Sequence, residues 1–397
     1  ERNSSAASDV YKRQVHHLEF TMKSFAHLLL AAVILSLAPS AATAAEATGF
    51  IHLEEIDGRS WLVDSKGKPF FAHGITHIGT VKIGAPYEKI AEACKDAGFN
   101  AYGYGCPDAL KDDMPYIASV NHVVPMSMYR GDGSFSYVDI FDLKVQRRLD
   151  GQIRYLCNQN KDNPNLIGYC WTDLGVWRLN NNRGANWVDI TRELPAGAPG
   201  RRAYDSFLET WKGDGPAARD QAFLRRIAAE YFRVLGEANR KYDPNHLVFG
   251  DRFAPFTIDY DVLEEMLPYV DAIAIQPHYN PGFPKAEFDR VHKVSRKPIL
   301  ICDFAIRFVD GDKNIRGYKP LENARAAGDA YTAYLREGMA TSYLIGAFWC
   351  NPVDSTGGFQ KTGIKQGFFD KGLAPRPGLI EAIREFNKRR EEITPKG

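Results

Sequence analysis

Two acidic residues stand where apolar runs end, and their side chains could act together. Residues 166–177 (LIGYCWTDLGVW) form a short apolar run without helical spacing that delivers Asp173, and residues 297–307 (KPILICDFAIR) deliver Asp303 in the same way. Each run predicts a buried strand that carries one carboxyl group to an open rim. Two carboxyl groups that face each other can take different roles in one reaction: one donates a proton, while the other acts as nucleophile or base.

Each acid also has a structural interpretation. Asp173 could cap the turn that follows it, and Asp303 could pair with Arg307 or Arg252. Such pairs occur in many proteins without any role in catalysis. The presence of one acid at each of two similar strand ends favours the functional interpretation.

The two strands belong to a repeated alternation of apolar runs and helical patterns. Strands are predicted at residues 70–77, 99–105, 122–129, 165–173, 247–253, 270–279, 298–303 and 343–349. Helices are predicted at residues 87–97, 142–158, 217–242, 261–267, 286–294, 324–338 and 379–390. This order predicts an α/β fold, a (β/α)8 TIM barrel. An open doubly wound sheet is the alternative, but no glycine-rich phosphate turn follows the first strand.

Two segments fall outside the alternation. Residues 51–71 alternate apolar and polar side chains around Asp57-Gly58 and Lys66-Gly67, which predicts a small N-terminal β-hairpin element that forms a lid or a barrel floor. Residues 178–216 are polar and too long for a simple connection. They predict a long functional loop on the rim after strand four.

The carboxyl ends of barrel strands carry the chemistry of this fold, because the loops there vary above a fixed rim. Aromatic faces such as Trp177 and Trp349 can stack on sugar rings, and Arg252 and His278 can bind hydroxyl or acidic groups. The rim lacks the glycines and lysines of a phosphate site and instead predicts carbohydrate binding. Besides the two acids, the expected substrate-binding residues are His77, Tyr104, Tyr129, Trp177, Asp251, Arg252, His278, Tyr279 and Trp349.

A series of motifs runs along most of the chain: DGRSWLVDSKGKPFFAHGI, YVDIFDLKV, LIGYCWTDLGVW, HLVFGDRFA, KPILICDFAIR, LIGAFWCNPVD and GFFD. In this order they resemble agarase-like glycoside hydrolases, near glycoside hydrolase family 50 among the clan A barrels, from Gly58 to about Lys371. The resemblance implies a (β/α)8 barrel with the acid/base at the end of strand four and the nucleophile at the end of strand seven.

The chain departs from the pattern of that family at both acids. The family carries Asn-Glu on strand four and Glu on strand seven, and Asp303 takes the place of the second Glu. If Gly168 and Trp177 are aligned, the first Glu falls on Leu174; a shift of one residue places the acid at Asp173. Asp173 is preferred because it is the only carboxylate in this run, while Glu193, Asp189 or Glu209 of the long loop could supply the acid instead.

Replacement of Glu by Asp shortens each side chain by one methylene, so the gap between the two carboxyl groups is expected to widen. Retaining glycosidases hold the pair about 5–5.5 Å apart and inverting ones about 6.5–9.5 Å. A wider gap moves the pair away from the spacing that retention needs, and inversion is the alternative.

Composition restricts the partners. The chain of 397 residues is 44% hydrophobic and 25% charged with a net charge of +1, which argues against nucleic-acid or anionic-membrane partners. No cofactor is expected. His73 and His77 lie four residues apart, a spacing at which two histidines bind one metal ion from a helix. Here they lie on a predicted strand, so no metal is expected. Cys170, Cys302 and Cys350 lie in apolar runs as small buried hydrophobes, and a disulfide between Cys94 and Cys106 is an open alternative.

The first residues are not expected to belong to the fold. Residues 1–21 precede an internal methionine and are interpreted as an upstream tail. Residues 22–45 run from Met22-Lys23 through an apolar segment to Ala42-Thr43-Ala44, which is the order of a secretory signal peptide. Retention of this segment as a membrane anchor is the alternative. A single catalytic barrel is expected over residues 46–397, in a secreted or periplasmic protein.

These features together predict a secreted glycoside hydrolase. Its expected substrate is a β-linked, agarose-like galactan or an oligosaccharide of it, with Asp173 as general acid/base and Asp303 as nucleophile or second carboxylate. A carbohydrate-binding barrel without turnover is one alternative, because both acids are Asp. A polysaccharide lyase with His278 or Tyr279 as base is another.

Overall fold

The structure is a computed structural model that describes residues 47–80, 86–119, 137–180, 185–277, 282–309, 320–354 and 363–395. The strands of the described ranges are β1 His52–Ile56, β2 Arg59–Val63, β3 Pro69–Phe70, β4 Ala72–Thr76, β5 Ala101–Tyr102, β6 Tyr116–Ser119, β7 Leu166–Asp173, β8 Leu247–Arg252, β9 Ile273–Ile275, β10 Ile299–Phe304 and β11 Leu344–Cys350. The α-helices are α1 Tyr87–Asp96, α2 Leu143–Asn160, α3 Trp187–Glu193, α4 Pro199–Thr210, α5 Pro216–Tyr242, α6 Tyr260–Met266, α7 Lys285–Ser295, α8 Ala324–Met339 and α9 Leu379–Ile393.

Eight parallel strands form one sheet in the order β8-β7-β6-β5-β4-β11-β10-β9. The two outer strands of this order also meet, because Phe253 N donates to Ala274 O at 3.0 Å and Gln276 N donates to Phe253 O at 2.8 Å. The sheet therefore closes on itself. The predicted (β/α)8 barrel is confirmed, with β4 as its first strand and β11 as its eighth.

The barrel has an inner and an outer apolar layer. Side chains that point to the axis, among them Ile117, Ile167, Phe249, Leu300 and Phe348, form one buried cluster. Side chains that point outward pack beneath the helices in a second and larger cluster. This division follows from the two-residue period of a strand, since successive side chains point to opposite faces of the sheet.

Strands β1, β2 and β3 form a separate antiparallel sheet, which confirms the predicted N-terminal hairpin element. Its Ser60 N donates to Ser342 O at 2.8 Å, and Arg59 donates to Thr341 O at 2.9 Å and to Leu344 O at 3.0 Å. These carbonyl groups lie where β11 begins. The small sheet is therefore the floor of the barrel and not a lid.

Two details of the predicted layout were wrong. The third barrel strand is Tyr116–Ser119, which precedes the predicted range 122–129; that range lies outside the described residues. Residues 178–216 are not one long loop, because they contain α3 and α4. Both helices have local start signals that the polar composition conceals: the Asn186 side chain accepts from Asp189 N, and Pro199 is the first residue of α4.

The predicted signal peptide and upstream tail lie outside the described residues, so both stay predictions. Within the described ranges, no helix combines the length and the apolar content that a membrane crossing needs. All six cysteines are free, including Cys94 and Cys106.

Candidate active site

A one-residue bulge lies at each of the two acids, near the end of a barrel strand: Asp173 ends the bulge of β7, and Asp303 lies within the bulge of β10. Between Cys170 and Asp173, β7 has one residue more than β8, whose paired residues are Gly250 and Arg252. Strand β10 likewise has one residue more than β11 between Ile301 and Phe304. An extra residue shifts the alternation of side chains and can aim a different one at the axis. Both carboxyl groups gain their direction in this way.

Asp173 pairs with a fully buried arginine. The guanidinium Nη2 of Arg252 lies 3.3 Å from Asp173 Oδ1, and the two side chains are 0% and 12% exposed. Burial alone would lower the pKa of Arg252, but the negative charge of Asp173 is the largest opposing influence and the net pKa is raised. Arg252 is therefore a permanent cation at the centre of the barrel mouth.

Tyr104 connects this pair to the second acid. The Arg252 guanidinium lies over the Tyr104 ring, 3.9 Å from its centroid, and the Tyr104 hydroxyl donates to Asp303 Oδ2. Gln276 Nε2 donates to the same hydroxyl at 3.2 Å and approaches Asp303 Oδ2 at 3.4 Å. Burial first, and the charge of Asp303 second, raise the pKa of Tyr104, so its hydroxyl stays a donor. A continuous polar chain thus runs from Asp173 to Asp303.

His77 and Cys350 complete the rim on the side of Asp303. His77 follows β4 with a backbone φ of 65°, and its amide donates to Tyr104 O at 3.0 Å. Its ring meets the Tyr104 ring edge to face, with Nε2 at 3.7 Å from Asp303 Oδ2. Burial, followed by the charge of Asp303, raises the pKa of the Cys350 thiol well above its usual value. The predicted residues that meet at the mouth are therefore Asp173, Asp303, His77, Tyr104 and Arg252.

The structure places Trp349 and Trp177 away from the mouth. Trp349 is completely buried in the outer layer, where it packs against Phe304 and Tyr331. Trp177 is stacked on Trp187, with ring centroids 4.9 Å apart. Neither indole presents a face to a sugar. The alternation of β11 signals this outcome for Trp349, because its neighbour Phe348 belongs to the inner layer.

Asp251 also points outward, on the opposite side of β8 from Arg252. Its carboxyl group accepts from Thr172 N at 3.1 Å, Tyr231 Oη at 3.3 Å and Trp177 Nε1 at 3.4 Å. Burial raises the pKa of Asp251 to about 7, despite these hydrogen bonds. Asp251 supports the wall behind the mouth instead of lining it.

Three predicted rim residues, Tyr129, His278 and Tyr279, lie outside the described residues. The three alternative acids of residues 178–216 lie on helices. Asp189 pairs with Arg192, while Glu193 and Glu209 are exposed. Sequence reasoning did not select Gln276 or Cys350 as site residues. Their positions next to the ends of strands six and eight are the signal that could have found them.

The chain was compared with protein families, with curated proteins and with solved structures. No family model matches it. Beta-agarase B of Vibrio sp. (strain JT0107) is 25% identical over 168 residues, which cover 42% of this chain and 18% of that protein. Beta-agarase A of the same strain is 24% identical over 230 residues, which cover 53% of this chain and 22% of that protein. The chain spans about a fifth of the length of these two relatives.

Solved structures of agarases share the fold. An exo-beta-agarase superposes with a TM-score of 0.73 at 19% identity, covering 89% of this chain and 66% of that one. The agarase AgWH50C gives a TM-score of 0.71 at 20% identity, covering 89% of this chain and 65% of that one. The chain is thus similar to agarases in sequence and has the same barrel fold as solved agarases.

Proposed function

We propose that this chain is a glycoside hydrolase that acts on agarose-like, β-linked galactans or their oligosaccharides. The observation that carries the proposal is the meeting of Asp173 and Asp303 in one barrel mouth, at the ends of the fourth and seventh strands. The similarity to two beta-agarases supports the choice of substrate class. The barrel fold alone would not, because many chemistries use it.

The contacts of each acid support different roles. Asp303 accepts from the Tyr104 hydroxyl, which stays protonated and holds the carboxylate in one orientation, as a nucleophile or a base for water requires. Asp173 is proposed as the general acid/base, with Arg252 holding its carboxyl group across the mouth. The sugar oxygen that leaves would lie between the two acids.

Release of reducing ends from agarose and neoagaro-oligosaccharides tests the proposal. The full chain is expected to release saturated products, and Asp303→Asn and Asp173→Asn are each expected to lower kcat by about a hundredfold or more, because each removes a group that acts in the transition state. Asp205→Asn is the matched control, since that exposed acid pairs with Arg201 on α4. Glu193→Gln tests whether Glu193, instead of Asp173, supplies the general acid.

The measurements separate the rival functions. Full activity of both Asp variants, together with loss in Glu193→Gln, would contradict the proposed acids. Unsaturated products that absorb in the ultraviolet would contradict hydrolysis and support a lyase.

A carbohydrate-binding barrel without turnover is the second candidate. It is favoured by the Arg252–Asp173 ion pair, because the guanidinium at 3.3 Å engages the carboxyl group that hydrolysis would need to face the substrate. Calorimetry with the same oligosaccharides distinguishes the two. Binding without the release of any reducing ends would support this candidate and exclude the hydrolase.

We also propose that the protein is exported, on the strength of the signal-peptide pattern of residues 22–45. Expression of the full chain in a bacterial host, followed by N-terminal sequencing, tests this. A mature chain beginning near Ala45 in the periplasm or medium is the expected result. An uncleaved chain in the cytosol or the membrane would contradict it.

A further inference from the structure

Three metal-ligating side chains converge at the barrel mouth, beside the path from Asp173 to Asp303. His77 follows β4, Cys350 ends β11 and Asp303 lies on β10, and these three strands are neighbours in the sheet. Each residue offers one ligand atom, and the three atoms lie within 4.8 Å of one another. They come from three different strands, so the barrel framework and not a local turn brings them together.

We propose that His77, Asp303 and Cys350 form a binding site for a thiophilic divalent cation such as Zn²⁺. Imidazole nitrogen, thiolate sulfur and carboxylate oxygen are the ligands that Zn²⁺ takes in proteins, at about 2.0–2.3 Å. Such bond lengths place tetrahedral ligand atoms roughly 3.4–3.7 Å apart. Side-chain movements of about an ångström would therefore close the observed spacing around an ion.

The surroundings of the three ligands suit this role. The Tyr104 hydroxyl and Gln276 hold the Asp303 carboxylate from outside, and Asn351 Nδ2 lies 3.5 Å from Cys350 Sγ. Outer contacts of this kind orient metal ligands and are part of a working site. One thiolate and one carboxylate balance the two charges of the ion, and binding releases the thiol proton of Cys350 to solvent.

Three protein ligands leave one position of a tetrahedral ion open. The side chain of His77 is 28% exposed, so a solvent molecule can reach the edge of the site and take that position. The expected consequence rests on the proposed function: an ion bound to Asp303 occupies the carboxylate that hydrolysis needs. Zn²⁺ and galactan turnover should then exclude each other.

Absorption spectroscopy of the full chain with Co²⁺ tests the site without any substrate. A tetrahedral Co²⁺–thiolate complex has a charge-transfer band, which is expected at one Co²⁺ per chain and is expected to disappear on addition of Zn²⁺. Cys350→Ser should abolish the band, and His77→Gln should weaken Co²⁺ binding by about tenfold to a hundredfold. Cys157→Ala is the matched control, because that thiol is buried on α2 outside the site.

The absence of a band in the wild-type chain, or a band that survives in Cys350→Ser, would overturn the site. His77→Gln guards against misfolding of the cysteine variant, since His77 is partly exposed. Inhibition of agarose hydrolysis by Zn²⁺ is measured separately. If the chain proves inactive on every galactan while the band follows the variants, the proposed function fails and the metal site stands.

Discussion

Arg252 offers the sharpest test of how the site is held together. Its side chain is completely buried, lies 3.3 Å from Asp173 and covers the ring of Tyr104 at 3.9 Å. Arg252→Met removes the charge but fills most of the volume. The variant therefore measures the electrostatic role of Arg252 with little contribution from an empty cavity.

The expected cost follows from the burial of the pair. Removal of one partner of a buried ion pair leaves the other charge uncompensated, which costs about 3–5 kcal/mol of unfolding free energy. The double variant Arg252→Met with Asp173→Asn removes that charge as well. It should recover much of the loss and leave a deficit of about 1–2 kcal/mol, part of which is the lost cation–π contact with Tyr104.

Urea unfolding at pH 7.5 of the wild-type chain, both single variants and the double variant completes the cycle. A coupling of at least about 2–3 kcal/mol between Arg252 and Asp173 is expected, and it is larger by whatever Asp173→Asn costs on its own. If Arg252→Met alone costs less than about 1 kcal/mol, or if the two effects simply add, Asp173 does not depend on the guanidinium and the polar chain across the mouth is not a structural unit.

Three further variants test other parts of the structure. Burial, together with the charge of Arg390, lowers the pKa of His73 well below its usual value. Below about pH 6.5 only the unfolded chain therefore takes up a proton at this residue, and the free energy of unfolding falls as the pH falls. The cost of His73→Gln in urea unfolding should therefore be about 1.4 kcal/mol smaller at pH 5.5 than at pH 7.5, and an unchanged cost would refute this. Tyr104→Phe removes the donor to Asp303 and should lower kcat about tenfold to a hundredfold, whereas unchanged kcat would show that the hydroxyl does not position the carboxylate. Trp349→Ala should lower the free energy of unfolding by about 3–5 kcal/mol and leave KM unchanged in the fraction that folds. A raised KM with normal stability would instead show that Trp349 contacts the substrate.

Much of the fold could be predicted because the local patterns and the global architecture agree. The apolar runs that end at Asp173 and Asp303 are the fourth and seventh barrel strands, and the amphipathic pattern of residues 217–242 becomes α5. The third strand was misplaced because Tyr116–Ser119 is short and has no strong alternation. The helices α3 and α4 were missed because they are short and lie within a stretch that is polar as a whole.

The candidate site could be predicted only in part. Strand ends indicated which residues reach the rim, and His77, Tyr104 and Arg252 do meet the two acids there. The same reasoning selected Trp349, Trp177 and Asp251, which point into the outer layer. Position along a strand determines the height of a residue in the barrel, whereas the face of the sheet determines whether its side chain reaches the mouth.

The sequence by itself determined the alternation of strands and helices, the closed barrel and the two acids at its strand ends, because these follow from hydrophobic periodicity over many residues. Only the tertiary structure decided that Asp173 and Asp303 point inward and that Arg252 and Tyr104 connect them. Each acid lies at a bulge of one residue, and a bulge exists only between two paired strands. Neither strand contains that information alone.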